Sequence, residues 1–551
     1  MVQISPQSVN PLQSTTPLQP DSPLQSPPPS FEQPPVLAAI DVGTNSIHMV
    51  VARIQPDLPA FTIIATEKAT VRLGDRDPIS GDLTAAAMDR ATQALRRCQS
   101  LAKSLAVEQI IAVATSAVRE APNGPAFLQR VKTELDLTIH LIAGTEEARR
   151  IYLGVLSGIE FHNQPHVILD IGGGSTELIL GSGHEPRSLS STKVGAVRLS
   201  ALFVKSDPIS DRDYHALGNY IRGMLERPIE DLLSQLQPGE IPKMIGTSGT
   251  IEAVAMLQAY RQAYRQAHPA PPESLNGYCI QLSDVRNVIQ QLRKLTHAQR
   301  AALPGLNERR AEIIVAGAMI LQEAMALLQL DEITICERAL REGVIVDWML
   351  SHGLIEDRLR YQSSVRERSV LHAMRKFKVN RPYSEQVAQF ALTLFDATQG
   401  SLHQLNADAR GILWAAAMLH SSGQYISDSA HHKHSYYLIR NGELLGYTEA
   451  DVEAIANLAR YHRKSPPKKK HDNYRNLSTK WHRSLVDQLH PLLRLAVALN
   501  RRQIGAIAQL TCELDLEQRL LYLHLQPRDL QDDCALELWS IEQNKDVFEK
   551  T

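Results

Sequence analysis

The segment Asp170-Ile-Gly-Gly-Gly-Ser-Thr-Glu177 sets three glycines and two hydroxyls between two carboxylates. Gly172, Gly173 and Gly174 let a backbone approach an anion closely and turn its N–H groups inward, while Ser175 and Thr176 add donors. Asp170 and Glu177 at the rim of one turn supply the hard oxygens Mg²⁺ takes, one or two protein carboxylates completed by water and phosphate. A second segment, Asp41-Val-Gly-Thr-Asn-Ser46, offers the same materials: Asp41 as a metal or water ligand, Gly43 for close approach, and Thr44, Asn45 and Ser46 as donors. A third, Ile245-Gly-Thr-Ser-Gly-Thr250, opens a predicted helix, where Ser248, Gly249 and Thr250 would present free N–H groups to an anion. Each turn alone is also an ordinary hairpin, Asx turn or helix cap. Together they point to phosphate.

Hydrolysis at phosphorus needs a carboxylate to orient and deprotonate water. Gly144-Thr-Glu-Glu-Ala-Arg149 begins a predicted helix, and Glu147 is the candidate base, with Glu146 left open by the residues alone. Arg119, after Thr115-Ser-Ala-Val, is a candidate for neutralising phosphate charge.

The elements that must hold these groups are legible as apolar runs. Val36 to Ile40 and His166 to Leu169 read as strands that run into the two Asp-Gly turns, each followed by a second apolar strand. The Asp170 unit repeats the Asp41 unit about 130 residues later, an internal duplication. Helical patterns alternate with these strands, which predicts an α/β fold with ligands beyond the strand ends. The expected division is a tail over 1–35, one lobe over 36–165, a second over 166–345, and a mainly helical region over 346–551 with a few strands near its end.

The chain has 551 residues, a formal net charge of -2 and 21% charged residues, which excludes a wholly disordered chain and a uniformly basic nucleic-acid binder. Its five cysteines form no close pair, so a reducing, cytoplasmic interior is expected. The most apolar stretch, Ile313 to Leu330, is broken by Gln322 and Glu323, and no membrane helix is expected. Residues 1–35 hold ten of the 30 prolines, and the first basic residue is Arg53, so a disordered tail is predicted rather than a targeting peptide. Between Arg463 and Arg483 stand eight Lys or Arg against the single acid Asp472; Arg463, Lys464, Lys468, Lys469 and Lys470 are candidates for guiding a linear polyanion.

These segments, with Gly195-Ala-Val-Arg198 and Leu340-Arg-Glu-Gly343, resemble the exopolyphosphatase and guanosine-pentaphosphate phosphohydrolase (Ppx/GppA) family from about Val36 to about Asn500. The resemblance implies two duplicated actin-like, sugar-kinase-like ATPase lobes of the ribonuclease H-like type. It implies Glu147 as catalytic base, Asp170 and Glu177 as acidic residues around Mg²⁺, and Arg119 facing phosphate. It also implies dimers, stimulation by K⁺, and a helical C-terminal domain similar to HD phosphohydrolases, matched by His420, His432-Lys-His434-Ser435 and Tyr461-His-Arg-Lys464. An active HD site needs Asp after the first His. Here Ser421 follows His420, so a structural or polymer-contacting role is expected instead of a metal site.

The expected activity is Mg²⁺-dependent release of terminal orthophosphate from inorganic polyphosphate, with no nucleic-acid or membrane partner. The alternatives are 5′-phosphate hydrolysis of guanosine pentaphosphate (pppGpp), an ATP-dependent small-molecule kinase, and a non-catalytic sensor. The presence of Glu147, Asp170 and Glu177 argues against the last.

Overall fold

The computed structural model describes residues 2–6, 33–265, 271–355, 365–442, 444–477 and 479–550. Its strands are β1 (Val2–Pro6), β2 (Val36–Val42), β3 (Ser46–Gln55), β4 (Ala60–Thr70), β5 (Gln109–Ala114), β6 (Ile139–Leu141), β7 (His166–Ile171), β8 (Thr176–Gly181), β9 (Ser188–Thr192), β10 (Lys243–Thr247), β11 (Cys279–Gln281), β12 (Glu332–Ile335), β13 (Ile507–Asp515) and β14 (Leu520–Pro527). The chain divides into two compact units, Pro27–Val365 and Met1–Ser26 with Arg366–Thr551.

The first unit is the predicted pair of α/β lobes. Among the described residues one lobe carries a five-stranded sheet in the order β4-β3-β2-β5-β6, the other a six-stranded sheet in the order β11-β12-β10-β7-β8-β9. The duplication is visible in the ladders. β2 and β7 each form a hairpin with the strand that follows, and each runs parallel to a later strand, β5 or β10. β7 and β8 are buried at every position, as expected of central strands covered on both faces, and this is why they read as nearly unbroken apolar runs.

The two sheets share a core. Leu37, Ala39 and Val113 from one sheet and Ile168, Ile179 and Ile245 from the other close on the helices Gly144–Leu156 and Leu340–Ser351. These helices approach so closely that a Cβ on Gly154 would overlap the Ala339 carbonyl, and one on Gly343 the Arg150 carbonyl. The expected boundary at 345/346 falls inside the helix Leu340–Ser351, which packs on β2 and β3 of the first lobe; the unit ends at Val365. The apolar stretch Ile313 to Leu330 forms the helix Ile314–Leu328, buried in the second lobe's core. Among the described residues no helix is long and apolar enough to cross a membrane.

The second unit is mainly helical, as expected, with Arg381–Thr398, Ala407–Leu419, Glu449–Tyr461 and Lys480–Leu499 contributing to one core. β13 and β14 form the late hairpin that the sequence predicts. The expectation of a structureless tail does not hold over Val2–Pro6, which pairs in parallel with β14 through backbone hydrogen bonds that need no particular side chains. Residues 7–32 of that tail lie outside the described residues.

Candidate active site

The three glycine-containing turns meet at the carboxyl ends of parallel strands: Asp41 near the end of β2, Asp170 near the end of β7 and Ser248 directly after β10. A cavity of about 460 Å³ opens there, in the crevice beyond the strand ends that α/β sheets use for ligands. The Asp41 and Asp170 turns have the same internal geometry. Gly43 N donates to the Ser46 carbonyl at 3.1 Å, and Gly172 N to the Ser175 carbonyl at 2.9 Å.

Of the predicted phosphate-binding residues, Gly43, Thr44, Asn45, Ser46, Gly172, Gly173, Ser175, Ser248, Gly249 and Thr250 line this cavity, as do Asp41, Glu147 and Asp170. Gly174 and Thr176 do not. A Cβ on Gly174 would overlap Ser116 Oγ, itself 3.0 Å from Thr44 Oγ1, so this glycine lets the two lobes' turns touch. Thr176 is fully buried, and its hydroxyl donates to the Val194 carbonyl; it braces the hairpin. Ser248 has a left-handed backbone, φ 76°, unusual for serine and of the kind concentrated at ligand-binding turns; its hydroxyl donates to the Ile171 carbonyl at 3.0 Å.

Four carboxylates crowd one side. In the β7/β8 ladder Asp170 stands directly opposite Glu177. Burial, then Glu147 and Asp41, push the Asp170 carboxyl up to about 8. Burial and Asp170 push Glu177 up to about 8, against hydrogen bonds from Ser191 and Ser175. Asp41 is raised to about 6, chiefly by burial, although Arg341 opposes the shift, and its Oδ1 is buried without a hydrogen-bond partner. Glu177 lies behind Asp170 rather than on the cavity wall, accepting from Ser191 Oγ at 2.7 Å. Among the described residues no three His, Cys, Asp or Glu side chains are placed to hold a metal ion by themselves.

Glu147 and Glu146 separate cleanly. Glu146 is held by Arg149 at 2.7 and 2.8 Å and by Arg150 at 2.7 Å, and the Arg149 hydrogen bond holds its carboxyl below the usual range. Glu147 is buried on the cavity wall, and burial and Glu177 raise its pKa well above that of an ordinary glutamate. Arg119 does not line the cavity. Its Nη1 donates to Glu147 Oε2 at 3.2 Å and to the Ile142 carbonyl at 2.8 Å, so the guanidinium faces the carboxylate instead of the open volume.

The cavity is also lined by groups not anticipated from motif spacing: His48, Lys68, Glu252, Arg310 and Arg341. Arg341 belongs to the Leu340-Arg-Glu-Gly343 segment, and its position in that segment was the available signal. His48 is held neutral, pushed down to about 2 by burial with Lys68 and Arg341 nearby.

Arg463, Lys464, Lys468, Lys469 and Lys470 belong to the other unit, where the lysines are exposed after the helix Glu449–Tyr461. The histidines there bond to one another. His462 Nδ1 donates to the Ala459 carbonyl at 2.6 Å, leaving its Nε2 to accept from His431 Nε2 at 3.3 Å, while Arg463 Nη1 donates to His431 Nδ1 at 3.2 Å. His420 donates from Nδ1 to Ala417 O at 2.7 Å and accepts from the Tyr383 hydroxyl at 3.1 Å.

Comparison with known proteins gives these features a family. The model of the Ppx/GppA phosphatase family matches residues 50–352, and that of Ppx/GppA phosphatase domain III matches residues 365–545. A guanosine-5'-triphosphate,3'-diphosphate pyrophosphatase of Pseudoalteromonas atlantica is 29% identical over 87% of this chain and 89% of its own length. Another, of Vibrio parahaemolyticus, is 30% identical over 78% of this chain and 81% of its own length. The crystal structure of an exopolyphosphatase from Cytophaga hutchinsonii superposes with a TM-score of 0.52 and 29% identity, over 58% of this chain and 98% of that one. The chain therefore belongs to the Ppx/GppA phosphatase family, with two duplicated α/β lobes and its domain III, and is a hydrolase of phosphoanhydride bonds.

Proposed function

We propose that the protein is a Mg²⁺-dependent exopolyphosphatase that removes terminal orthophosphate from inorganic polyphosphate. The observation that carries this reading is the lining of the cavity: phosphate-cradling turns, hydroxyls and cations, with no Phe, Tyr or Trp among the described lining residues to stack on a base. A linear phosphate chain needs only the first set of groups. Hydrolysis of guanosine pentaphosphate is the second reading, favoured by the relatives of that activity that align over most of this chain.

In this reading the Gly43, Gly173 and Gly249 turns hold the terminal phosphates through backbone N–H groups, and Ser46, Ser175 and Thr250 add hydroxyls. Water attacks the terminal phosphorus. Glu147 takes its proton as the new P–O bond forms, the bridging P–O bond breaks, and the shortened chain leaves with the electron pair. Arg119 fixes the carboxylate that must accept the proton. The orphaned Asp41 Oδ1 and the raised Asp170 are hard oxygens in need of positive charge, which fits Mg²⁺ with Glu177 supporting Asp170 from behind. When bound, the ion would offset phosphate charge.

Phosphate release from long-chain polyphosphate and from guanosine pentaphosphate, measured side by side for the wild type and Glu147→Gln, tests this. Release from polyphosphate by the wild type alone is expected. Equal activity of the two proteins would remove Glu147 as base, and release only from the nucleotide would reverse the substrate order.

A further inference from the structure

β3 opens on Ser46-Ile-His48, and the period of two along a strand puts Ser46 and His48 on one face while Ile47 and Met49 enter the core behind it. Ser46 and His48 both line the cavity. Across the sheet His48 stands opposite Asp41 of β2 and opposite Lys68 of β4, so the imidazole sits between an acid and a cation. Its ring nitrogens are engaged elsewhere. Nε2 lies 2.8 Å from Ser46 Oγ, and Nδ1 lies 3.4 Å from Nη1 of Arg341, in the first turn of the helix Leu340–Ser351.

These two contacts fix which ring atom carries the proton. A guanidinium has hydrogens to give and no lone pair to accept with, so Arg341 can meet Nδ1 only where that nitrogen presents a lone pair. A doubly protonated ring would set N–H against N–H, and burial, with Lys68 and Arg341 nearby, opposes it as well. The single proton of the neutral ring therefore sits on Nε2 and is donated to Ser46 Oγ. A hydroxyl that accepts from one side keeps its own hydrogen for another. In the opposite tautomer Ser46 would donate back to Nε2, and no hydrogen would be left for a ligand.

We propose that His48 is a positioning residue: held in its Nε2–H tautomer by Arg341, it commits the Ser46 hydroxyl to donating into the cavity, where the terminal phosphate of the substrate receives it. The proposal rests on the reading of the cavity as a terminal-phosphate hydrolase. An ionised phosphoryl oxygen only accepts. A hydroxyl free to turn would also present its lone pairs to that anion, an orientation that repels, and fixing the donor in advance removes the cost of turning it. The relay joins distant parts of the chain, since Arg341 lies 293 positions beyond His48. The Leu340-Arg-Glu-Gly343 segment thereby sets the polarity of a group in the Asp41 turn.

Imidazole ¹⁵N NMR of the resting protein, with the His48 signals assigned by their loss in His48→Gln, reads the tautomer without turnover. The Nε2–H form is expected in the wild type, with a shift toward the Nδ1–H form in Arg341→Leu. A wild-type ring that is Nδ1–H or doubly protonated, or one that Arg341→Leu leaves unchanged, overturns the proposal. Kinetics read the consequence, with thermal unfolding of each variant in parallel. His48→Leu has no donor and is expected to lower kcat/KM about tenfold, the loss of a hydrogen bond to a charged group, for polyphosphate and guanosine pentaphosphate alike, since both end in a phosphate. His48→Gln places an amide N–H near the Nε2 position and should stay within about threefold of the wild type. In a Ser46→Ala background His48→Leu should lower kcat/KM by no more than about twofold, because the group it acts through is already gone. The full loss in that background, or no recovery in a His48→Gln protein that unfolds at the wild-type temperature, overturns the proposal. A wild type with the expected tautomer that releases phosphate from neither substrate would instead overturn the proposed function.

Discussion

Asp170 and Glu177 face each other across the β7/β8 ladder as a directly opposed pair, both buried; burial raises both carboxyls, with Glu147 and Asp41 adding to the rise of Asp170 and Asp170 to that of Glu177. Like charges directly opposite on a sheet destabilise it, and here the sheet is central to its lobe. A cation or a proton must offset the pair.

That requirement sets the pH response. Both carboxyls rise to about 8, from 3.8 for Asp170 and 4.5 for Glu177, so between about pH 4 and pH 8 the folded state binds more protons than the unfolded one. Stability is therefore fullest below the unfolded values and declines as pH rises through the folded ones. Thermal unfolding of metal-free protein should give a lower Tm at pH 8.5 than at pH 5.5, in the same buffer system and salt. Adding Mg²⁺ should recover most of the loss at the higher pH and little at the lower. A Tm independent of Mg²⁺ at pH 8.5 would contradict the assignment of this pair to a cation.

Glu146 and Glu147 are adjacent, yet substitutions should part them. Glu147→Gln removes the only group of the two that reaches the cavity, and kcat should fall by about 10²- to 10⁴-fold with little change in KM. Glu146→Gln breaks the bonds to Arg149 and Arg150 and should lower Tm while leaving kcat within a few-fold of wild type. Steady-state kinetics of both variants, with thermal unfolding in parallel, decide the matter.

Arg119 acts through Glu147. Its charge opposes the upward shift of that carboxyl, so Arg119→Gln should move the acidic limb of the pH–kcat profile to higher pH, a change that a merely structural loss would not produce. Arg119→Lys should restore part of the position of that limb. A profile that falls in height at an unchanged midpoint would separate Arg119 from the base.

The legible parts of the site are those whose evidence is local in the chain. Two apolar strands that end in Asp and a glycine turn, repeated once, reveal both the lobes and the turns that line the cavity, because the strand-turn chemistry is complete within about ten residues. The choice between Glu146 and Glu147 was only partly legible: Glu146 has arginines three and four places on and Glu147 has one three places on, and the structure gives both Arg149 and Arg150 to Glu146 and Arg119 to Glu147. Lys68 and Arg310 were not legible. One sits on β4 and the other on the four-residue helix Glu308–Ala311, and only the closure of the lobes sets them face to face. The fate of Gly174 was hidden for the same reason, since its close neighbours come from the Asp41 and Thr115 turns of the other lobe.

Gly174 therefore makes a prediction about lobe closure rather than phosphate binding. A Cβ at this position overlaps Ser116 Oγ and lies 2.9 Å from Thr44 Oγ1, two groups already hydrogen-bonded to each other at 3.0 Å. Gly174→Ala should destabilise the protein by about 1–3 kcal/mol through overpacking. Ser116→Ala deletes the overlapping oxygen but leaves Ser116 Cβ, which stands 3.3 Å from the added methyl, so it should relieve part of the strain. Denaturant unfolding of the two single variants and the double variant should show a coupling of about 0.5 kcal/mol or more in the relieving direction. Additive losses would mean that the turns shift apart without resistance, and the two lobes would not be held in register by this contact.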